Sequence, residues 1–211
     1  MTYPDGDLRD QLAHLGAAAV SAGLVVGSGG NLSAREHGAD TCWVTGAGTW
    51  LDRLGRDDFA LVRIADGAVV GGHPAPSSEW RLHTATYRVR ADVNAIVHLH
   101  PQTSVLLTAL GHDIALATTD HAFYLREVAV VPFSPPGGAE LADAAAAAVA
   151  GGTDAVVLAH HGCSVLADTV ELAHKRAFNL EEAARLTRDA LLLADGRPPP
   201  SCPPFRAGGS V

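Results

Sequence analysis

The sequence predicts an α/β fold in which helices cover a central mixed β-sheet as one layered αβα domain. Predicted helices alternate with short strands and hairpins along the chain, a pattern typical of layered α/β architectures. The 211 residues suit one domain, and a composition of 47% hydrophobic and 18% charged residues indicates a packed core. We expect residues 1–195 to form this domain and residues 196–211 to form a Pro-rich C-terminal tail, since its prolines exclude helix and central strand.

The N-terminal half is predicted to begin with a helix and to continue as two hairpins. Leu8, Leu12 and Leu15 recur at three- and four-residue steps, which predicts a helix over residues 8–24. The glycine-rich segment 27–31 then interrupts the helical pattern. Short apolar segments flanked by turn residues predict strands at residues 32–36, 41–45, 59–64 and 68–70.

The C-terminal half is predicted to alternate helices with buried strands. Pro76-Ser77-Ser78-Glu79 is typical of a helix start, with Ser77 or Ser78 as the cap, and this helix should end near Arg90. Segment 118–124 is predicted as a loop. The remaining elements are predicted as a strand at 94–99, a helix at 103–109, a strand at 128–131, a helix at 139–149, a hairpin of strands at 155–159 and 163–166, and a long helix at 169–193.

Charge and cysteine content exclude several classes of function. The net charge of −8 argues against a nucleic-acid partner, which requires clustered cations. No segment approaches the roughly 20 apolar residues of a membrane span, and the first residues lack a signal-peptide pattern, so we expect a cytoplasmic protein without a membrane partner. Three scattered cysteines form neither a disulfide framework nor a Cys-rich metal site. Eleven histidines beside only 15 Lys and Arg make metal chemistry worth examining.

Histidines follow two of the predicted apolar strands. In His98-Leu99-His100 the two imidazoles lie two residues apart, so on a strand they point to the same side. His160 and His161 follow the strand 155–159; only one of them can face the same metal, and we favour His161. Three neutral imidazoles with an open position are a recurrent catalytic zinc arrangement. Taken singly, each motif is equally compatible with hydrogen-bonded histidines at a strand end or in a tight turn.

Two further features suit an anion such as a phosphate. The helix start at residues 76–79 offers free amides and two serine hydroxyls. The glycine-rich segments 27–31 and 45–48 allow the backbone to approach a phosphate closely, although neither is a nucleotide-binding motif. Taken alone, each is more often an ordinary helix cap or a surface turn.

The order of these motifs resembles the class II aldolase/adducin family over roughly residues 8–193. The motifs that carry the resemblance are Gly-Asn-Leu-Ser at 30–33, Val-Thr-Gly at 44–46, Pro-Ser-Ser-Glu-Trp at 76–80, Val-His-Leu-His-Pro at 97–101 and His-His-Gly at 160–162. The resemblance implies a three-layer αβα sandwich around a mixed, largely antiparallel sheet. It also implies a homotetramer with active sites between subunits.

The resemblance assigns roles to particular residues. It implies that Glu79, His98, His100 and His161 bind the metal and that Glu79 is also the catalytic acid/base. The residues that it assigns to the substrate phosphate are Gly30, Asn31, Thr45, Gly46, Ser77 and Ser78. The family's catalytic tyrosine has no certain match, so Tyr124, His121 or neither takes that role; the tail offers no second tyrosine.

The implied activity is that of a zinc-dependent aldehyde-lyase. Such an enzyme cleaves a ketose phosphate, such as L-fuculose 1-phosphate, into dihydroxyacetone phosphate and an aldehyde through a zinc-stabilised enediolate. Mn²⁺, Fe²⁺ and Co²⁺ are alternatives to Zn²⁺ because imidazole accepts them too.

Other readings of the resemblance remain open. Family 4-epimerases carry Asp where this chain has Glu79, whereas family dehydratases and decarboxylases share the metal-binding triad. A non-catalytic interaction domain like that of adducin is disfavoured because all four metal ligands are present here. Structural zinc is disfavoured because such sites are usually closed and Cys-rich.

Overall fold

The computed structural model describes residues 3–205, so residues 206–211 of the predicted tail lie outside the described part. Within that part the helices are α1 (Leu8–Ser21), α2 (Trp80–Val89), α3 (Gln102–Ala109), α4 (Thr119–Leu125), α5 (Ala139–Val149) and α6 (Val170–Leu193). The strands are β1 (Asn31–Ala34), β2 (Thr41–Thr45), β3 (Phe59–Arg63), β4 (Val69–Gly72), β5 (Ala95–Leu99), β6 (Ala129–Val131), β7 (Ala155–Leu158) and β8 (Gly162–Ala167).

The eight strands form one sheet in the order β4-β3-β2-β1-β5-β8-β7-β6. Neighbouring strands are antiparallel except β6 and β7, which are parallel. Helices α1, α3, α4 and α6 pack on one face, where Val97 and Leu99 of β5 join the core, and α2 and α5 pack on the other face with Ile96. The predicted three-layer αβα fold with a mixed, largely antiparallel sheet is therefore confirmed.

Helix α1 ends three residues earlier than its leucine pattern predicts. Gly23 adopts a positive φ of 72°. The amide of Leu24 donates to the carbonyl of Ala19, and the amide of Gly23 donates to that of Val20. These are the two bonds of a Schellman motif, which satisfies the last carbonyls and turns the chain out of the helix. Leu24 is buried beyond the turn, so its apolar character reflects burial outside the helix.

The predicted cap of α2 is wrong: neither Ser77 nor Ser78 occupies the N-cap position, which belongs to Glu79. The amide of Ser77 donates to the carbonyl of Thr45, and Pro76 forms a β-bridge with Gly46. Because these contacts keep the preceding segment extended, the helix begins only at Trp80. Glu79 makes no side-chain capping bond, which leaves its carboxylate available for other contacts.

The loop predicted at residues 118–124 is wrong as well, since it contains helix α4. The Thr118 hydroxyl accepts a hydrogen bond from the amide of His121 and caps the helix. Seven residues are too few to show a helical apolar period, and most of the stability of short helices comes from tertiary packing. Here Leu125 is fully buried on the core face that α4 shares with α6.

No helix among residues 3–205 is both long and apolar enough to cross a membrane.

Candidate active site

Strand pairing brings the histidines of distant segments together. Strand β5 pairs antiparallel with β8, so that Leu99 lies opposite Cys163 and His98 opposite Ser164. The chain after β5 therefore emerges beside the turn that precedes β8, and His100 meets His161. The ring centroids lie 5.0 Å apart for His98 and His100, 4.9 Å for His98 and His161, and 5.0 Å for His100 and His161. The three imidazoles thus form a nearly equilateral triangle.

His160 stays outside this triangle. Its backbone has a positive φ of 61°, and its ring packs near Phe133 at 6.1 Å between centroids. The tight turn between β7 and β8 therefore directs the two adjacent histidines to different places, and His161 is the one that joins His98 and His100.

The Glu79 carboxylate completes the cluster from the other side. Its Oε2 lies 3.1 Å from Nε2 of His98, and its Oε1 lies 3.2 Å from Nε2 of His161. Ligand atoms of Glu79, His98, His100 and His161 all fall within 4.8 Å of one another. Oε1 of Glu79 is buried and has no hydrogen-bond partner among the residues that the structure describes. Three imidazole nitrogens and an unpartnered carboxylate oxygen are a donor set that fits a divalent transition metal.

The protonation states of the cluster also suit a cation. Burial favours the neutral form of Glu79, but the hydrogen bond with His98, electrostatic interactions with His98 and His161, and the amide of Asn31 outweigh it and lower the pKa of Glu79 to about 2. Burial, with the neighbouring histidines, lowers the pKa of His100 to about 4 and also lowers that of His161. At neutral pH Glu79 is therefore a carboxylate and the rings of His100 and His161 are neutral, the forms that bind metals.

Two glycines allow the rings to pack this closely. A β-carbon on Gly162 would lie 2.7 Å from Cδ2 of His100, and one on Gly29 would lie 2.8 Å from Nδ1 of the same ring. Contacts below 3.0 Å are not tolerated by real side chains. Neither position could therefore carry a side chain without displacing the His100 ring, and together the two glycines hold that ring in place.

A cavity of about 290 Å³ adjoins the cluster. It is lined by residues of the glycine-rich loops, by residues that carry hydroxyl groups and by two members of the cluster, Glu79 and His100. The lining residues are Ser28, Gly29, Gly30, Asn31, Thr45, Gly46, Ala47, Gly48, Thr49, Ser77, Ser78, Glu79 and His100. All six residues that the resemblance assigns to a phosphate thus line one cavity, although Ser28, Gly29, Ala47, Gly48 and Thr49 were not among them.

Some of these side chains already have partners within the chain. The Asn31 amide donates from Nδ2 to Oε2 of Glu79 at 2.9 Å, and the Thr45 hydroxyl accepts from the amide of Leu32 at 3.2 Å. Asn31 therefore faces the carboxylate as well as the cavity.

Tyr124 lies away from the cluster of its own chain. Its backbone carbonyl accepts a hydrogen bond from Arg176 at 3.0 Å. Arg176 also pairs with Asp154, the residue before β7, whereas His161 follows the opposite end of that strand. His121, the alternative to Tyr124 for the role of the family's catalytic tyrosine, is buried in the first turn of α4. Its Nδ1 has no hydrogen-bond partner among the described residues.

Three residues behind Glu79 were missed by the sequence analysis. His83, Ser33 and Tyr87 are buried and hydrogen-bonded to one another on the face of the sheet that α2 covers. A signal was available, because His83 follows Glu79 by four residues and a helix places such residues on one side. Ser33 similarly shares a strand face with Asn31.

The comparisons with known proteins agree with this geometry. The family model described as Class II Aldolase and Adducin N-terminal domain matches residues 10–187. An L-fuculose phosphate aldolase of Methanocaldococcus jannaschii is 36% identical over 169 residues, which are 80% of this chain and 89% of that protein. A 5-deoxy-D-ribulose 1-phosphate aldolase of Bacillus thuringiensis is 31% identical over 180 residues, which are 84% of this chain and 83% of that protein.

A solved structure supports the same assignment. That of an L-fuculose 1-phosphate aldolase superposes with a TM-score of 0.82 at 28% identity, covering 94% of this chain and 92% of the other. The chain therefore belongs to the class II aldolase and adducin family, as an enzyme of the aldolase kind.

Proposed function

We propose that this enzyme cleaves a ketose phosphate like L-fuculose 1-phosphate into dihydroxyacetone phosphate and an aldehyde. The observation that carries the proposal is the double position of Glu79, which belongs to the metal-ligand cluster and also lines the adjoining cavity. A substrate whose phosphate occupies that cavity has its carbon chain beside the cluster. The names of the relatives in Methanocaldococcus jannaschii and Bacillus thuringiensis support a sugar phosphate as the substrate class.

We infer that the phosphate is held by the loops around the cavity. The amide of Gly30 and the hydroxyls of Ser77 and Ser78 are the donors, and the N-terminus of α2 adds its dipole. Gly46 forms part of the cavity wall, with its own amide donating to the carbonyl of Asp58. Asn31 and Thr45 contribute to the wall, with their side chains turned partly inward. Binding the phosphate at one end of the substrate orients the reacting carbons toward Glu79. The proton transfer then takes place within one complex rather than in a random encounter.

The metal ligands in this proposal are Glu79, His98, His100 and His161. A divalent cation bound there supplies Lewis-acid polarisation of the substrate's oxygens. Zn²⁺ is our first choice for a site of imidazole and carboxylate ligands, with Mn²⁺, Fe²⁺ and Co²⁺ as alternatives. Glu79 moves the proton to and from the dihydroxyacetone phosphate carbon, because its carboxylate lies between the cluster and the cavity.

Transfer of the proton on the substrate hydroxyl that becomes the aldehyde oxygen is assigned to Tyr124 of a neighbouring subunit, which removes this proton in cleavage and returns it in condensation. Within one chain Tyr124 stands at the opposite end of β7 from His161, so only another copy can bring it to the site. This assignment belongs with our proposal of a homotetramer with active sites between subunits. We also propose that residues 1–195 carry the activity and that the enzyme is cytoplasmic.

A panel of ketose 1-phosphates and 5-phosphates, each incubated with the protein and Zn²⁺, tests the proposed reaction. We expect release of dihydroxyacetone phosphate and an aldehyde from at least one ketose 1-phosphate. Formation of an epimer without aldehyde would indicate a 4-epimerase instead. Loss of water or carbon dioxide from a related substrate, without cleavage of any ketose 1-phosphate, would replace the aldolase by a dehydratase or a decarboxylase.

A further inference from the structure

A chain of buried polar side chains runs from the interior to the Glu79 carboxylate. The Tyr87 hydroxyl lies 2.9 Å from Oγ of Ser33, which lies 2.7 Å from Nδ1 of His83. Nε2 of His83 lies 2.5 Å from Oδ1 of Asn31, whose Nδ2 lies 2.9 Å from Oε2 of Glu79. His83 and Ser33 are wholly buried, and the exposure of the other three does not exceed 7%.

The donor and acceptor groups of these five residues fix which atom donates in each hydrogen bond of the series. A carboxylate only accepts, so Asn31 must turn its NH₂ group to Glu79 and its carbonyl oxygen to His83. That oxygen also only accepts, so His83 must donate from Nε2. A neutral imidazole carries one N–H, which leaves Nδ1 to accept from the Ser33 hydroxyl. Because the Ser33 proton is used in this bond, Oγ of Ser33 can only accept from the Tyr87 hydroxyl, which also lies 3.4 Å from the carbonyl oxygen of Asn94.

His83 is neutral in the folded chain, as this direction requires. Its complete burial, with a smaller contribution from His98, lowers its pKa to about 3. A protonated ring would have to donate from both nitrogens, and Ser33 would then have to reverse its hydroxyl toward Tyr87.

We propose that His83 is a positioning residue for the acid/base Glu79: through its Nε2 proton it fixes the Asn31 amide, and Asn31 then fixes Oε2 of the carboxylate. This inference rests on the proposed function for the role of Glu79, but the direction of the hydrogen bonds from Tyr87 to Glu79 does not. The two oxygens become different, because Oε2 is held by Asn31 whereas Oε1 has no hydrogen-bond partner within residues 3–205.

The opposite arrangement would disrupt the carboxylate. If His83 carried its proton on Nδ1, its Nε2 lone pair would face Oδ1 of Asn31 at 2.5 Å. The amide would have to flip, and its oxygen would then face Oε2 of Glu79 at 2.9 Å, which sets two acceptors against each other. The tautomer of one buried ring thus decides how the catalytic carboxylate is oriented.

The first arm of the test reads the tautomer directly. We expect the ¹⁵N and ¹H spectrum of the full-length protein, recorded with and without added Zn²⁺, to show His83 protonated at Nε2 only. The His83 signals are identified as those absent from His83→Gln. Protonation at Nδ1 would overturn the inference, and this readout requires no catalytic activity.

The second arm compares two amides that differ in reach. The Gln side chain extends to the position of Nε2 and can donate to Asn31, whereas the Asn side chain extends only to the position of Nδ1 and reaches Ser33. We expect His83→Asn to lower kcat for proton exchange on dihydroxyacetone phosphate by about 10- to 100-fold with little change in KM, as removal of an outer partner of a metal-site ligand commonly does. His83→Gln should stay within about threefold of the wild type, since it restores the donor.

A matched control measures the effect of disturbing α2 alone. Thr86 is buried on the same helix, and within residues 3–205 its hydroxyl forms a hydrogen bond only with the carbonyl of Leu82. Thr86→Val should therefore leave kcat unchanged, and thermal melting shows whether each variant is folded. Equal kcat in His83→Asn and His83→Gln would overturn the positioning role. A wild type without any exchange would overturn the proposed function. The tautomer of His83 would still show whether its Nε2 proton is donated to Asn31.

Discussion

The His100 ring packs directly against the backbone of Gly162. A β-carbon at that glycine would lie 2.7 Å from Cδ2 of His100 and 3.3 Å from Cε1 of His98. The absence of a side chain at the first residue of β8 thus allows the rings of His98 and His100 to lie where they do. A β-carbon there would displace the His100 ring and open the triangle.

Gly162→Ala should weaken metal binding. The added methyl group would press on the carbonyl oxygen of Leu99 as well as on the His100 ring, so strand β5 and the ring must both shift, and metal sites lose affinity when ligands leave their geometry. We expect Zn²⁺ affinity, measured by competition with a chromophoric chelator, to fall by about 10-fold or more. Gly151→Ala is the control, since a β-carbon there meets nothing within 4 Å. Equal affinities in the two variants would show that the ring tolerates the methyl group.

Separate replacement of His160 and His161 should show which of these adjacent residues binds the metal. We expect about one divalent ion per chain in the wild type and in His160→Asn, and loss of that ion in His161→Ala, by elemental analysis of the purified protein. Asn suits position 160 because the backbone there has a φ of 61°, which Asn tolerates. A wild type that holds no metal, even after Zn²⁺ is added, would contradict the proposed activity.

Glu79→Gln should separate metal binding from proton transfer. The amide oxygen of Gln can remain near His98 and His161, but the side chain cannot take up a proton at neutral pH. We expect the variant to retain metal and to lose exchange of the dihydroxyacetone phosphate proton by about 100-fold or more, measured by NMR in deuterated water. Undiminished exchange would remove Glu79 from the role of acid/base.

The stability of the fold should decline in acid partly because of His83. The folded chain resists protonation of this ring until about pH 3, whereas the unfolded chain protonates it near its ordinary pKa of about 6.5. Because the folded pKa is lowered, its contribution is complete above pH 6.5 and is lost as the pH falls toward 3, by about 1.4 kcal/mol per pH unit.

Urea unfolding at pH 7, 6 and 5 measures this slope. His83→Gln should flatten the dependence of the unfolding free energy on pH, because the replacement does not titrate. His37 is exposed in the folded chain, so His37→Gln is the matched control at an exposed position. An identical slope in both variants would mean that His83 is not the buried neutral ring that the structure shows.

Thiol labelling should distinguish the three free cysteines. Burial raises the pKa of Cys42 and of Cys163 to about 12, so neither forms the reactive thiolate at pH 8. Cys202 is only partly buried near the C-terminal end of the described chain. We expect one thiol per chain to react with a colorimetric disulfide reagent in the native state and three in denaturant. Two or three rapidly reacting thiols in the native protein would contradict the packing of both buried cysteines.

Much of the fold could be predicted because local patterns carry it. The apolar runs of β5, β7 and β8 and the leucine period of α1 are visible in the sequence, and only their ends shifted. Helix α4 could not be predicted in this way, since its burial against α6 depends on the tertiary structure rather than on an apolar period of its own. The cap of α2 was misplaced because a long-range bond from Ser77 to Thr45 delays the start of the helix.

The sequence by itself determined which side chains could bind a metal and a phosphate, because the two-residue period of a strand places His98 and His100 on one side and glycine permits close approach. The tertiary structure decided that Glu79 and His161 meet them, that His160 does not, and that Tyr124 lies at the far end of β7. The physical reason is that these relations depend on the register of β5 against β8 and on the packing of α2 over the sheet. Both are contacts between residues far apart in the chain, so no local pattern records them.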